Sequence, residues 1–173
     1  MSNARVYDIE IFPNYLLISF YEPETKQFND FEFWETGKPQ DIKPLNEYLK
    51  GIETLIGFNS QYFDNHIIIE LRKTKSVKAA KELSDSLIGK RAGKRPVYLT
   101  KKDFDVLGIL DRKASLKQFE ARMGFSKVLE SPIPFDTQVL PGQTEKIKDY
   151  CHNDILATYE LWQSKTVQDK LRA

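Results

Sequence analysis

Three strand-like segments follow one another at the start of the chain, and alternating helix and strand patterns come after them. The first segment runs from Arg5 to Ile11, the second from Tyr15 to Tyr21, and the third from Gln27 to Trp34. They are rich in β-branched or aromatic residues and are separated by the turn signals Pro13-Asn14 and Glu22-Pro23-Glu24. We therefore expect an antiparallel meander that forms one half of a sheet.

The remaining pattern adds helices and further strands. In chain order it predicts a helix over Ile42 to Leu49, a buried strand over Thr54 to Phe58, helices over Asn65 to Lys73 and Ser76 to Leu87 with Gly89 as the stop, a basic loop over Lys90 to Lys102, a strand over Phe104 to Leu110, a helix over Ser115 to Met123, and a long helix from Thr144 to about Gln168. This order favours an α/β fold with a mixed sheet, in which strands 1 to 3 are antiparallel and parallel strands are added through helices. We expect the first strand to be central, with a crevice at its end.

Length and composition restrict the class of protein. The chain has 173 residues, of which 40% are hydrophobic, so we expect a single domain over residues 1–173. It contains neither an apolar run of about 18 residues nor a signal-peptide pattern at its start, so we expect a cytoplasmic protein without a membrane segment. Because there is one cysteine and only two histidines, any metal ion must be held by carboxylates.

Positive charge is concentrated in the middle of the chain. The segment from Arg72 to Lys117 has 14 basic and five acidic residues, a net charge of +9, whereas the rest of the chain has a net charge of −8. This pattern is typical of a solvated lysine-rich helical face, or of a strip that faces phosphates. In the second case the loop residues Arg91, Lys94, Arg95, Lys101 and Lys102 would form a phosphate-binding loop beside the acidic site.

Two acidic residues lie two positions apart on the first predicted strand. Because side chains on a strand alternate between its faces, Asp8 and Glu10 share one face. On a central strand the two carboxylates would be buried together, which is unfavourable unless a cation neutralises them. On an edge strand they would form a solvated acidic face.

Two further acidic positions follow later in the chain. Asp64 stands at the start of a helix just after a buried strand, where it can face a cleft or cap the helix. On the last helix, Tyr150 and Asp154 are at positions i and i+4 and share a face, while His152 points away and is interpreted as a surface or packing residue.

Together the four carboxylates of Asp8, Glu10, Asp64 and Asp154 form an oxygen-only set that suits Mg²⁺ or Mn²⁺. Two such ions about 4 Å apart can promote in-line attack of water on a phosphodiester.

These residues occur in three motifs. The motifs Asp8-x-Glu10, Asn59-x-x-x-Phe63-Asp64 and Tyr150-x-x-x-Asp154 resemble, in order and spacing, the exonuclease motifs of DnaQ-like 3′-to-5′ exonucleases of the DEDDy subgroup. The chain looks most similar to the proofreading domains of phage and other family B DNA polymerases. The stretch Ser115 to Phe119, followed by Met123-Gly124 and Phe135-Asp136, also resembles the region between the second and third motifs.

The resemblance implies an RNase H-like fold and a role for each motif residue. Asp8, Glu10 and Asp154 would hold one divalent ion, and Asp8 and Asp64 would hold the second. Tyr150 would orient the attacking water, because a phenol with an ordinary pKa near 10 suits hydrogen bonding better than base catalysis. Asn59 and Phe63 would contact the sugar and base of the terminal nucleotide.

Several points stay open at the level of sequence. Phe12 and Tyr15 could contact a nucleotide or belong to the core. Lys127 lies near the position of the catalytic lysine that some phage exonuclease domains use. Glu130 could stand at this position instead, so no catalytic lysine is assigned. The histidine subgroup is not supported, because Asp149 stands at its histidine position.

The resemblance implies action on single-stranded or frayed DNA 3′ ends, either as a stand-alone enzyme or as a proofreading domain, in a bacterial cell or phage-infected host. A DNA polymerase or replication complex is the partner that the resemblance suggests. A non-catalytic nucleic-acid-binding module on the same fold and an RNA-directed exonuclease are the alternatives.

Overall fold

A five-stranded mixed sheet forms the centre of the molecule. The computed structural model describes residues 3–88, 95–110, 114–123 and 129–173. The strands are β1 (Ala4–Phe12), β2 (Tyr15–Glu22), β3 (Gln27–Trp34), β4 (Thr54–Gly57) and β5 (Lys102–Asp105), in the spatial order β3-β2-β1-β4-β5. β1, β2 and β3 pair antiparallel, whereas β4 is parallel to both β1 and β5. The predicted mixed α/β sheet with a central first strand is therefore confirmed.

Helices cover both faces of this sheet. They are α1 (Lys43–Lys50), α2 (Asp64–Thr74), α3 (Val77–Leu87), α4 (Val106–Leu110), α5 (Leu116–Met123), α6 (Thr144–Gln163) and α7 (Lys165–Arg172), with short 3₁₀ turns at Ser60–Tyr62 and Pro141–Gln143. Tyr7, Ile9 and Ile11 of β1 pack with the layer formed by α1, α2 and α3. Val6 and Phe12 lie in the core on the opposite face, with α4 to α7. Asp8 and Glu10 share this second face, because they alternate with the residues of the first.

β1 is longer than the parallel strand beside it. The β1–β4 pairing ends with Val6 opposite Ile56, whereas the β1–β2 pairing continues to Phe12 opposite Tyr15. In the described part of the chain, the carboxyl-terminal half of β1 is thus paired on one side only. The resulting gap lies beside the turn that follows β4, which confirms the predicted crevice.

The predicted strand over Phe104 to Leu110 is wrong after its second residue. The strand ends at Asp105 and the chain continues directly as helix α4. Asp105 causes this change, because its Oδ1 accepts the backbone N–H groups of Leu107 at 3.1 Å and Gly108 at 3.3 Å. An acidic residue that accepts these N–H groups favours the start of a helix.

The predicted single helix from Thr144 to about Gln168 is also wrong, since it is broken into α6 and α7. Ser164 has an extended conformation, with φ −60° and ψ 145°, and its Oγ accepts the N–H of Val167. The break allows α7 to fold back, so that Val167 is fully buried in the core. Residues 163–166 contain neither glycine nor proline, the strongest signals of a helix end, so the sequence does not mark the break clearly.

Most other predicted segments agree with the structure to within about two residues. Ser76, the predicted first residue of the third helix, instead caps it through Oγ, which accepts the N–H of Ala79 at 3.1 Å. The predicted stop at Gly89 lies outside the described residues. No helix among the described residues is long and apolar enough to cross a membrane.

Candidate active site

Four carboxylates from three segments line one cavity at the end of β1. The cavity has a volume of about 400 Å³, and its lining includes Asp8, Glu10, Asp64 and Asp154. β1 provides the first two, the start of α2 the third, and the middle of α6 the fourth. The structure thus brings together the four acidic residues that the sequence singled out.

Asp8 and Glu10 lie on a central strand, so the interpretation of a solvated edge strand is wrong. Glu10 is 4% exposed and Asp8 is partly buried. One oxygen from each carboxylate and the Cys151 sulfur all lie within 4.8 Å of one another. Burial and the neighbouring carboxylates raise the pKa of the Cys151 thiol well above its usual value, so the sulfur stays protonated and packs behind the carboxylates.

Asp64 faces the cavity and does not cap the helix that it begins. Phe63 occupies the N-cap position of α2, and no side-chain hydrogen bond caps this helix in the described part of the chain. Asp64 is 4% exposed. Burial, together with the charges of Asp105 and Asp103, raises the pKa of its carboxyl well above the ordinary value.

Asn59 and Phe63 line the same cavity as the carboxylates. Asn59 adopts a left-handed conformation, with φ 59° and ψ 17°, which asparagine tolerates better than most residues. Its backbone N–H donates to Asp105 Oδ1 at 2.8 Å. The turn after β4 is therefore held against β5, and it presents Asn59 and Phe63 beside Asp64.

Tyr150 and Asp154 interact across one turn of α6, as predicted. Tyr150 lies one turn before Asp154 on α6, the charge of Asp154 raises its pKa, and both side chains are less than 10% exposed. Burial and the charges of Asp154, Glu10 and Asp8 raise the pKa of Tyr150, so its hydroxyl remains a hydrogen-bond donor at neutral pH. Burial and the charge of Glu120 raise the pKa of Asp154 to about 7.

The carboxylates destabilise one another's charged forms. Burial, followed by the charges of Asp64, Glu10 and Asp154, raises the pKa of Asp8 well above its ordinary value. Burial, followed by the charges of Asp154 and Asp64, also raises the pKa of Glu10. Such a cluster is stable only when protons or cations offset the accumulated negative charge.

Lys117 is a cation close to this cluster. Its Nζ lies 5.4 Å from the centroid of the Tyr150 ring and 3.0 Å from Glu130 Oε2. The charge of Lys117 lowers the pKa of both Glu10 and Asp154, against the larger effect of burial. Glu130 thus pairs with Lys117 at the surface, and Lys127 lies outside the described residues.

Three buried acidic residues near the site did not emerge from the sequence. Asp103 and Asp105 are 8% and 5% exposed and lie beside Asp64, and Glu120 on α5 is 1% exposed. The spacing Asp103-x-Asp105 repeats the alternation of Asp8-x-Glu10 and could have identified the first two. Glu120 carries no local signal, because the packing of α5 against α6 buries it.

Apolar side chains also line the cavity. Its lining includes Phe58, Phe63, Ile88, Leu116 and Phe135. Phe135 is 43% exposed, and its ring stacks on Phe12 with a centroid distance of 5.4 Å.

Other candidate contacts from the sequence have different places. Phe12 and Tyr15 are fully buried and belong to the core. His152 stacks on Phe28 at a centroid distance of 3.7 Å and its Nε2 lies 2.9 Å from Asp30 Oδ1, so its interpretation as a packing residue is confirmed.

The predicted phosphate-binding loop lies only partly within the described residues. Lys101 and Lys102 line a separate cavity of about 650 Å³ and are not in the lining of the carboxylate cavity. The backbone carbonyl of Arg95 accepts a hydrogen bond from His66 Nε2 at 3.2 Å, close to the start of α2. Arg91 and Lys94 lie outside the described residues. The placement of Lys101 and Lys102 beside the acidic site is therefore wrong.

Comparison of the chain with known proteins gave no match to a protein-family model, to a curated protein or to a solved structure. Functional inference consequently depends on the site itself.

Proposed function

We propose that the chain is a divalent-metal-dependent 3′-to-5′ exonuclease of the DnaQ-like, DEDDy type that hydrolyses phosphodiester bonds at the 3′ ends of single-stranded or frayed DNA. The observation that carries this proposal is the convergence of four carboxylates and one tyrosine from three separate segments. Asp8, Glu10, Asp64 and Asp154 line one cavity, and Tyr150 lies one turn before Asp154 on the same helix. These are the positions that match the three exonuclease motifs.

The fold is compatible with this proposal. A central β1 with antiparallel neighbours on one side and parallel strands on the other agrees with an RNase H-like sheet. Helices on both faces complete the architecture that the resemblance implies.

The carboxylate set fits two Mg²⁺ or Mn²⁺ ions. All donors are oxygen atoms, as hard divalent cations prefer. Asp154 Oδ1 is buried and lacks a hydrogen-bond partner among the described residues, and the raised pKa values of Asp8 and Glu10 indicate uncompensated negative charge. In this proposal Asp8, Glu10 and Asp154 hold one ion, and Asp8 and Asp64 hold the other. Bound ions would supply water activation and neutralisation of charge on the phosphate.

The remaining side chains position the substrate and the water. Tyr150 orients the attacking water through its protonated hydroxyl. Asn59 and Phe63 contact the terminal nucleotide from the turn after β4. Phe135 in the lining offers an exposed ring on which a base can stack. A cavity lined by both carboxylates and apolar side chains suits a ligand that has both a phosphate and a base.

The test uses one nucleotide sequence as 5′-labelled single-stranded DNA and as RNA, with Mg²⁺, Mn²⁺ or EDTA. We expect the wild type to shorten DNA from its 3′ end, and EDTA, Asp8→Asn and Asp154→Asn to abolish this shortening. Asp149→Asn is the matched control, because Asp149 lies on the same helix as Asp154 but is exposed. Activity that survives Asp8→Asn would overturn the proposal.

Two alternatives are outcomes of the same experiment. Faster shortening of RNA than of DNA would assign an RNA-directed exonuclease. Salt-sensitive DNA binding by a folded wild type that degrades neither polymer would assign a non-catalytic binding module. Stimulation of DNA shortening by a DNA polymerase or replication complex would identify the partner that the resemblance implies.

A further inference from the structure

Glu120 is a buried carboxylate that the four-acid motif does not include. It lies on α5 with 1% of its surface exposed. Its Oε2 has no hydrogen-bond partner among the described residues, and its Oε1 lies 3.5 Å from Asn153 Nδ2, the long limit of a hydrogen bond. Buried carboxylates are normally paired, hydrogen-bonded or bound to a metal. Oε2 of Glu120 is therefore the oxygen that lacks a partner in the described ranges.

A second uncompensated oxygen belongs to the facing helix α6. Asp154 Oδ1 is also buried without a hydrogen-bond partner in the described ranges. Asn153 directly precedes Asp154 on α6, and its Nδ2 lies 3.5 Å from Glu120 Oε1. Of all neighbouring charges, that of Glu120 has the largest effect on Asp154 and raises its pKa. The two carboxylates are therefore close neighbours across the α5–α6 contact.

Lys117 does not neutralise the Glu120 and Asp154 carboxylates. Its ammonium group lowers the pKa of Glu120, yet burial has the larger effect and the pKa stays raised. The Lys117 Nζ forms its ion pair with Glu130, whose side chain is 86% exposed. Glu120 Oε2 and Asp154 Oδ1 thus remain without a hydrogen-bond partner in the described part of the chain.

We propose that Glu120 is a fifth acidic ligand of the candidate metal centre and binds, directly or through a water molecule, the divalent cation that Asp154 holds. This inference rests on the proposed metal centre and not on the choice of DNA as substrate. Glu120 on α5 would then add a carboxylate oxygen to those of the three motifs. The ligand class is a hard divalent cation, Mn²⁺ or Mg²⁺, because every contributing donor is an oxygen.

The test measures metal binding without nucleic acid. Purified wild type, Glu120→Gln and Glu130→Gln are titrated with Mn²⁺ by calorimetry, and their thermal melting is recorded at pH 8 with EDTA and with Mn²⁺. Asp8→Asn provides the reference for loss of the centre. Glu130→Gln is the matched control, since Glu130 also neighbours Lys117 but is exposed.

We expect Glu120→Gln to weaken Mn²⁺ binding about 10- to 100-fold, and Glu130→Gln to leave it unchanged. With EDTA, Glu120→Gln should raise the melting temperature, because it removes a buried charge next to Asp154. With Mn²⁺, the stabilisation that the metal gives should shrink. Glu120→Asp should recover part of the affinity, because it restores a carboxylate.

The outcomes separate this proposal from the proposed function. Wild-type Mn²⁺ binding that Asp8→Asn weakens and Glu120→Gln does not would overturn the role of Glu120 and leave the exonuclease proposal standing. Equal destabilisation of Glu120→Gln with EDTA and with Mn²⁺, at unchanged affinity, would assign a purely structural role and also overturn it. A wild type that binds Mn²⁺ through Glu120 but degrades no DNA would overturn only the exonuclease.

Discussion

The Asp105 carboxylate accepts the backbone N–H of Asn59 at 2.8 Å and thereby links β5 to the turn that carries the second motif. The same carboxylate accepts the N–H groups of Gln61 at 3.3 Å, Leu107 at 3.1 Å and Gly108 at 3.3 Å. Asp105 is only 5% exposed, so water does not readily replace it as an acceptor. One side chain thus fixes both the left-handed turn at Asn59 and the start of α4.

Asp105→Ala should be among the most destabilising substitutions in the chain. It removes the acceptor of four backbone N–H groups, and each buried donor left without a partner costs about 1–3 kcal/mol. Allowing for partial rehydration, we expect the free energy of unfolding to fall by about 3 kcal/mol in urea titrations. Asp136→Ala, at an exposed position, is the control. A loss below about 1 kcal/mol would contradict this role for Asp105.

Gly57→Ala should also destabilise the protein, since the turn after β4 has no room for a side chain. A Cβ at Gly57 would lie 2.5 Å from both Cβ and Oγ of Ser60 and 3.0 Å from Tyr7 Cε1. Overpacking of this kind costs about 1–3 kcal/mol, which thermal or urea unfolding will measure. Gly108→Ala is the matched control, because its nearest neighbouring atom is 3.8 Å away and alanine favours a helix. Equal effects of the two substitutions would refute the steric explanation.

Stability of the metal-free protein should decrease as the pH rises. The pKa of Asp154 is raised from its ordinary value of 3.8 to about 7, mainly by burial and the charge of Glu120. Between these two values the native state binds more protons than the unfolded state, so the free energy of unfolding falls with increasing pH. One pKa unit corresponds to about 1.4 kcal/mol, which gives an upper limit of about 4 kcal/mol from Asp154.

Thermal melting in EDTA from pH 5 to pH 8 will check this dependence. Asp154→Asn should make the decrease shallower, and Mn²⁺ should oppose it, because a bound cation stabilises the ionised carboxylates. A melting temperature that rises over this range would contradict the assignment.

Under the proposed function, Tyr150→Phe should reduce kcat without changing the dependence of kcat on pH. The raised pKa keeps the Tyr150 hydroxyl protonated, so this group acts as a hydrogen-bond donor and not as a base. Loss of one positioning hydrogen bond corresponds to a decrease in kcat of about 10- to 100-fold. The pH–rate profiles of wild type and variant should have the same shape. A displaced alkaline limb in the variant would instead identify Tyr150 as a titrating catalytic group.

The sequence predicts those parts of the site that depend on local spacing. Asp8 and Glu10 share a face because the period of a strand is two, and Tyr150 and Asp154 meet because residues four apart on a helix are neighbours. The burial of Glu120 depends on contact between two helices and has no local pattern. The end of β5 at Asp105 is not predicted either, because the short apolar run that follows it fits a strand and a helix equally well.

Phe135→Ala should weaken substrate binding more than it slows the chemical step. The exposed Phe135 ring stacks on Phe12, which directly follows the Asp8–Ile11 segment, so its position relative to the carboxylates is fixed. Base–aromatic stacking contributes about 1–3 kcal/mol per base. Under the proposed function we therefore expect KM for a short oligonucleotide to rise about 5- to 100-fold, with little change in kcat.

An oligonucleotide whose 3′-terminal residue lacks a base makes this expectation specific. Without the base the stacking partner is absent, so wild type and Phe135→Ala should have the same KM on this substrate. Phe135→Trp should retain binding of the ordinary substrate, because it keeps an aromatic face, and Leu140→Ala removes a side chain that is 63% exposed outside the cavity as a control. If Phe135→Ala raises KM equally for substrates with and without the terminal base, then Phe135 does not bind that base and contributes only to the packing of the cavity lining.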